Sequence, residues 1–189
     1  MLPTGAALTL APYADGMKRA LLLALAVSLP GAAAAQTLTA QTLTVLDDKR
    51  LPFTLQLPKN WYGFKAEDGA QGVSVVSAQK PPATLMRFLF LNKGGKNADL
   101  GTEFRNFEAG VKGSGGSRRL IGGKNSTYGG VRGAERVYAL GHSGGELRMR
   151  VWFGNGAKNL YSFQVMDSAS RFAKSDALFK RVLGTVRFR

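Results

Sequence analysis

Glu146-Leu-Arg-Met-Arg-Val-Trp-Phe153 is the stretch on which the reading of the fold turns. Leu147, Met149, Val151 and Phe153 point one way, while Glu146, Arg148, Arg150 and Trp152 point the other. That period of two belongs to a strand with two unlike faces. Outward from it, the glycine-containing turn 141–145 separates this strand from Val131–Leu140. Gly154-Asn155-Gly156 separates it from a further strand, Asn159–Met166. Val131–Leu140, Glu146–Phe153 and Asn159–Met166 thus read as three strands in succession.

The flanks add strands and two helices. Thr42–Leu46 alternates weakly, and Phe53–Leu57 places Phe53, Leu55 and Leu57 on one face. Val73–Ala78 and Leu85–Leu91 are short apolar runs of the kind buried on both faces of a sheet. Leu100, Phe104, Phe107 and Val111 form one stripe at a period of 3.6, so Leu100–Lys112 is a helix packed on the sheet, capped by Asn97 or Asp99. A second helix, Ser170–Leu183, buries Phe172, Leu178, Phe179, Val182 and Leu183, with Asp167, Ser168 or Ser170 as its cap. Gly184 stops it and Thr185–Phe188 closes the chain as a strand. Between Gly110 and Gly145 lie 12 glycines in 36 residues, a density that favours turns and close backbone approaches; the strands expected there are Arg118–Gly122 and Val131–Leu140. No internal repeat interrupts the pattern, and residues 42–189 read as a single domain.

The N-terminal part reads as an address. Met17-Lys18-Arg19 precedes the apolar run Ala20–Leu29, then Pro30-Gly31 and the small residues Ala32–Ala35. That order of charged head, apolar core and small-x-small site is a secretory signal over residues 17–35, cut after Ala35. A spanning helix needs about 20 apolar residues, and this run stops about halfway, so no transmembrane helix is expected in the mature chain. Residues 1–16 read as a start-site extension, with translation beginning at Met17, and residues 36–41 as a mobile lead-in. The expected location is therefore the periplasm, the cell envelope or the exterior. The 189-residue chain has no cysteine. Zinc–thiolate sites, iron–sulfur clusters, cysteine nucleophiles and a cysteine-linked lipid are excluded, and stability rests on packing and hydrogen bonds.

Candidate catalytic patterns do not hold together. Ser77-Ala-Gln-Lys80 matches the spacing of a serine–lysine acyl-transfer dyad, which needs both residues on one helix. Lys80 precedes Pro81-Pro82, which pushes it out of the helical region. The single histidine, His142, lies in a turn, where a metal site would need several convergent ligands. Gly123-Lys124 lacks the rest of a phosphate loop, and Asn125-Ser126-Thr127 is a common chance match to a glycosylation acceptor. No catalytic residue, metal or cofactor is expected.

Charge is the stronger signal. Lys and Arg number 26 against 12 Asp and Glu, a formal charge of +14, which points to an anionic partner. Nine basic residues fall between Lys112 and Lys158, against Glu135 and Glu146. Arg148, Arg150 and Trp152 share a strand face; Arg132, Arg136 and Tyr138 share one on the strand before. If the hairpin register brought these sets together, Arg132, Arg136, Arg148, Arg150 and Trp152 would form an aromatic-interleaved cationic face suited to phosphate contacts and base or sugar stacking. A slip of one residue separates the sets, and the competing arrangement pairs Glu135 with Arg150. A solvated polar face would account for the same charges.

The order of elements also resembles a known family. A strand ending Phe53-Thr-Leu-Gln-Leu-Pro58 runs into Asn60-Trp61; a mid-chain helix precedes Tyr128-Gly-Gly-Val-Arg-Gly-Ala-Glu-Arg136; two long strands follow. An amphipathic helix then leads into Phe179-Lys-Arg-Val-Leu-Gly-Thr-Val-Arg-Phe188. Over nearly all of Thr42–Phe188 this resembles the PsbP/Mog1-like superfamily. The resemblance implies an α+β fold, an α/β/α sandwich with a central, mainly antiparallel sheet flanked by helices. It also implies a non-enzymatic binding or accessory role, since characterised relatives bind proteins in photosystem assembly or a small GTPase. No functional residue carries over. The expected function is an exported accessory domain of the cell envelope with an unidentified protein or anionic envelope partner. The alternative is polyanion binding, to nucleic acid or an acidic envelope polymer, through the basic sheet face.

Overall fold

The described elements, in chain order, are β1 (Leu43–Leu46), β2 (Phe53–Pro58), β3 (Tyr62–Phe64), β4 (Gly72–Val76), β5 (Leu85–Asn92), α1 (Leu100–Gly113), β6 (Ser117–Tyr128), β7 (Val131–His142), β8 (Gly145–Asn155), β9 (Asn159–Ser168), α2 (Phe172–Gly184) and β10 (Arg187–Phe188). The structure is a computed structural model that describes residues 41–64, 70–113, 116–142 and 145–189. The start-site extension, the signal segment and all but Gln41 of the lead-in lie outside the described residues. Seven strands form one sheet in the order β3-β4-β5-β9-β8-β7-β6, and β1-β2-β10 form a second, smaller one. Every pairing among the described residues is antiparallel.

Alternation along the central strands gives the large sheet two apolar faces, and each is covered. On one, α1 sets Phe104, Phe107 and Val111 against Tyr138, Leu140, Met149, Val151 and Phe153. The Phe104 and Phe153 rings meet edge-on at 4.8 Å between centroids, a favoured aromatic geometry. On the other face, α2 and the small sheet bring Leu178, Phe179, Val182, Phe53 and Leu55 onto Trp152, Phe163, Val165 and Phe88. The result is the α+β sandwich expected, with a mainly antiparallel sheet between helices. The small sheet shares the α2 side.

Local chemistry explains the boundaries. Asp99 caps α1, accepting from the N–H of Gly101 (3.2 Å) and of Thr102 (3.0 Å). The cap expected for α2 is absent: Arg171 precedes the helix without a side-chain cap bond. Asp167 spends its carboxylate elsewhere. It accepts from Ser168 N–H (2.8 Å), Thr84 Oγ1 (2.6 Å), Arg171 Nη2 (2.6 Å) and the Ser175 hydroxyl. These charged and hydroxyl donors fasten α2 to the start of β5. The turn between β6 and β7 uses Gly129 (φ +53°) and Gly130 (φ +84°), the two left-handed positions of a tight hairpin whose twist suits antiparallel strands.

The glycine-rich region is more extended than its composition suggests. β6 continues through Gly122 and Gly123 to Tyr128, with one bulge that leaves Ile121 unpaired between Leu120 and Gly122. Strand–strand hydrogen bonding overrides glycine's low strand propensity here, because a backbone ladder needs no side chain. The short strand β3 at the opposite edge lies in a stretch that the sequence pattern left without an element.

Candidate functional site

The pairing of β7 with β8 decides the fate of the basic face. Val137 lies opposite Arg150, Glu135 opposite Trp152 and Ala139 opposite Arg148, while Arg136 faces Val151. Arg132 and Arg136 are thus on the α1 side of the sheet, and Arg148, Arg150 and Trp152 on the α2 side. The five residues do not make one surface, which corrects the expectation of a single cationic face. Glu135 and Arg150, the competing pair, are not directly opposite, but they share the α2-side face and meet diagonally as an ion pair at 3.1 Å.

Arg150 is buried under α2 and held between two buried carboxylates. Its Nη1 is 3.1 Å from Glu135 Oε2, its Nη2 donates to Asp176 Oδ2 at 3.1 Å, and its Nε donates to Asp176 Oδ1. Lys180 reaches Asp176 at 2.8 Å and Lys124 reaches Glu135 at 3.4 Å, extending the chain of charges from the edge strand to the helix. Burial would raise the Asp176 carboxyl; the hydrogen bonds from Arg150 and Lys180 outweigh it and hold the group below its usual range. Burial likewise would lower the Arg150 guanidinium, and Asp176 and Glu135 hold it above its usual value. Arg150 is a buried cation committed to two carboxylates of the protein itself, with 9% of its surface exposed.

Trp152 is fully buried and stacks no ligand either. Its indole lies over the cross-strand pair Gly133 and Gly154: a Cβ on Gly133 would come within 2.6 Å of Nε1, and one on Gly154 within 2.0 Å of the ring. These two glycines are the floor that the ring requires. Arg148 is partly exposed and bonds Glu146 at 3.3 Å.

On the α1 side, Arg132 and Arg136 border an open groove between the first turn of α1 and the outer part of the β6–β7 hairpin. One end, of about 560 Å³, is lined by Leu100, Asn125, Ser126, Thr127, Arg132, Gly133 and Asn155. An adjoining end, of about 410 Å³, shares Leu100 and Asn125 and reaches Gly101, Phe104, Lys124 and Arg136. Arg136 is spoken for: its guanidinium lies 4.2 Å from the Phe104 ring centroid and donates to Glu108 Oε1 at 2.9 Å. Glu108 also accepts from Tyr138 (2.8 Å) and pairs with Arg118 (3.1 Å). Arg132 is exposed and has no ionic or hydrogen-bonded partner among the described residues. In the sequence Asn125 and Thr127 stand out only as a chance glycosylation match and Asn155 only as a turn residue; the pairing of β6, β7 and β8 is what brings them to one groove.

The other candidates take structural places. Ser77 lies in a bend after β4; its hydroxyl accepts from the Thr84 N–H at 2.8 Å, closing the loop that contains Lys80. The helix that a serine–lysine dyad needs is not there. Glu103 on α1 is buried, and burial together with the nearby Asp99 charge pushes its carboxyl up to about 7. Among the described residues no group of three His, Cys, Asp or Glu side chains is gathered, and no helix is long and apolar enough to cross a membrane.

No protein-family model matches the sequence, and no curated protein matches it. The fold is matched by solved structures. Cyanobacterial PsbP (CyanoP) from Synechocystis superposes with a TM-score of 0.64 at 12% identity, over 87% of this chain and 99% of that one. This chain has the PsbP-like fold. LpqN, a Mycobacterium tuberculosis protein involved in cell envelope biogenesis, shares it with a TM-score of 0.55 at 10% identity, covering 84% of this chain and 98% of LpqN. A putative regulator of unknown function from Pseudomonas aeruginosa shares it at 0.54 and 12% identity, covering 78% and 97% of the two chains. Such identities establish the shared PsbP-like architecture alone.

Proposed function

We propose that this PsbP-like chain is an exported, non-enzymatic accessory domain of the cell envelope that binds an acidic protein partner. The observation that carries the proposal is the division of its charged groups. The buried Glu135, Arg150, Asp176 and Asp167 are consumed within the Glu135–Arg150–Asp176 and Arg171–Asp167 clusters. Cations such as Arg119, Arg132 and Lys158 are left exposed on open surface, without ionic partners among the described residues. A shallow groove bordered by cations suits a macromolecular surface better than an enclosed small substrate. The signal pattern in residues 17–35 and the fold shared with LpqN, itself an envelope-biogenesis protein, support the location. Polyanion recognition by stacking on Trp152 has no support, since that ring is buried.

The test has two parts. N-terminal sequencing of the chain from the envelope fraction should begin at Gln36, and a cytosolic chain with its leader attached would count against export. Crosslinking in intact envelopes should then give a discrete complex that partly survives roughly 0.5 M salt, where exposed charges are screened within a few ångströms. A partner lost entirely, with a steep linear decline of log affinity against log salt, would instead mark a polyanion binder.

A further inference from the structure

We propose that the outer edge of β6 is a docking strand for an extended, acidic segment of a partner protein, which adds to the large sheet as an eighth strand. The proposal deepens the reading of the chain as a binding domain and rests on it. β6 has 12 residues, about 40 Å of edge at 3.3–3.4 Å per residue. Among the described residues it pairs with β7 on one side and ends the sheet on the other. Beyond its ladder with β7, no backbone group of residues 117–128 bonds to another described backbone group. A row of such groups is a template for a further strand.

Long edges are commonly defended by charge or by a bulge, and β6 has both. It carries Arg118, Arg119 and Lys124 and no acidic residue, with the bulge at Ile121. Those features keep copies of this +14 chain from pairing edge to edge, which argues against a second copy as the occupant. They do not explain Leu120 and Ile121, which are 50% and 43% exposed at the bulge. Defence has no use for two large apolar side chains there; a docked strand would cover them. Arg119 and Lys124 pair with Ala139 and Glu135 and so lie on one face of the sheet. The Arg119 side chain has no ionic or hydrogen-bonded partner among the described residues, and the Lys124 side chain is 68% exposed. Acidic side chains on the same face of an incoming strand would meet both, while main-chain bonds supply affinity and the apolar pair fixes register.

The experiment uses the protein as secreted and an eight-residue peptide alternating Glu and Val, with two controls: the same peptide N-methylated along its whole backbone, and poly-glutamate. Binding is read by fluorescence anisotropy, and its place by amide hydrogen exchange. The alternating peptide should bind and slow exchange at β6 amides. N-methylation should weaken it about tenfold or more, because the donors are gone while charge and side chains remain; Arg119→Glu and Ile121→Ser should each weaken it several-fold. Equal binding of the N-methylated peptide, protection confined to other strands, or no binding by the alternating peptide would each overturn the proposal. Poly-glutamate bound without β6 protection would sink the edge proposal and leave a general acidic-partner function standing. Failure of the envelope crosslinking would sink that function itself.

Discussion

Replacing Arg150 by Met should destabilise the protein far more than removing the whole ionic cluster. Arg150 is 9% exposed and lies between Glu135, at 1%, and Asp176, at 8%. Arg150→Met keeps most of the aliphatic volume but leaves two buried carboxylates without their shared cation. Breaking a buried pair from one side costs about 3–5 kcal/mol. Lys180 at 2.8 Å from Asp176 and Lys124 at 3.4 Å from Glu135 offset part of this, so the expected loss is near the lower figure, about 3 kcal/mol. In a domain of this size that lowers Tm by roughly 6–12 °C. The triple variant Glu135→Leu, Arg150→Met, Asp176→Leu buries no unpaired charge and should return to within about 1 kcal/mol of the parent. Urea unfolding of the three proteins reads the difference. Acid gives a second check. Asp176 has a lowered pKa in the folded protein, so its contribution is present above the unfolded value and fades as pH falls through the folded one. In Arg150→Met the Asp176 carboxylate has lost the hydrogen bonds from Arg150 that help hold its pKa down, so the gap between parent and variant should narrow on acidification. A single variant within 1 kcal/mol of the parent, or a triple variant as unstable as the single, would refute the reasoning.

Gly133→Ala places a Cβ 2.2 Å from the Phe153 carbonyl oxygen and 2.6 Å from Trp152 Nε1. It should cost about 3 kcal/mol in urea unfolding, whereas Gly122→Ala, with nothing within 4 Å of the new Cβ, should stay within about 0.5 kcal/mol. Glu103 has a raised folded pKa of about 7 against 4.5. The unfolded chain therefore ionises first, and folded stability falls as pH rises between those values, by up to about 3 kcal/mol. Glu103→Gln removes that slope, so its advantage in urea unfolding should be larger at pH 8 than at pH 4.5. Arg132→Ala should leave Tm unchanged and reduce the slope of log affinity for heparin against log salt by about one.

Most strands and both helices were legible because alternation and a 3.6-residue stripe are local, whereas β3 left no such pattern and the class of the fold came through the family resemblance. The face of Arg150 was not. Glu146, Arg148, Arg150 and Trp152 read as the polar side of β8, yet α2 covers that side and turns Arg150 and Trp152 into core. One trace of this did exist: Asp176 falls on the buried stripe of α2 with Phe172, Phe179 and Leu183, an acidic residue awaiting a buried cation. Only the register of β7 against β8 shows which cation it is. The groove was also out of reach, since Leu100, Asn125 and Asn155 come from three separated elements. The run from Gly122 to Gly130 looked like punctuation because glycine is conformationally free. In the fold it supplies strand and one tight turn, and Gly133 with Gly154 make room for an indole.

An acidic macromolecule meeting this chain on its open cationic surface is the central claim. Amide chemical-shift mapping during titration of the secreted protein with poly-glutamate tests it most directly. The largest shifts should fall on β6 and around Arg132, with the amides near Arg150 and Trp152 unmoved. Shifts centred on Arg150 and Trp152, or none at any concentration, would contradict it.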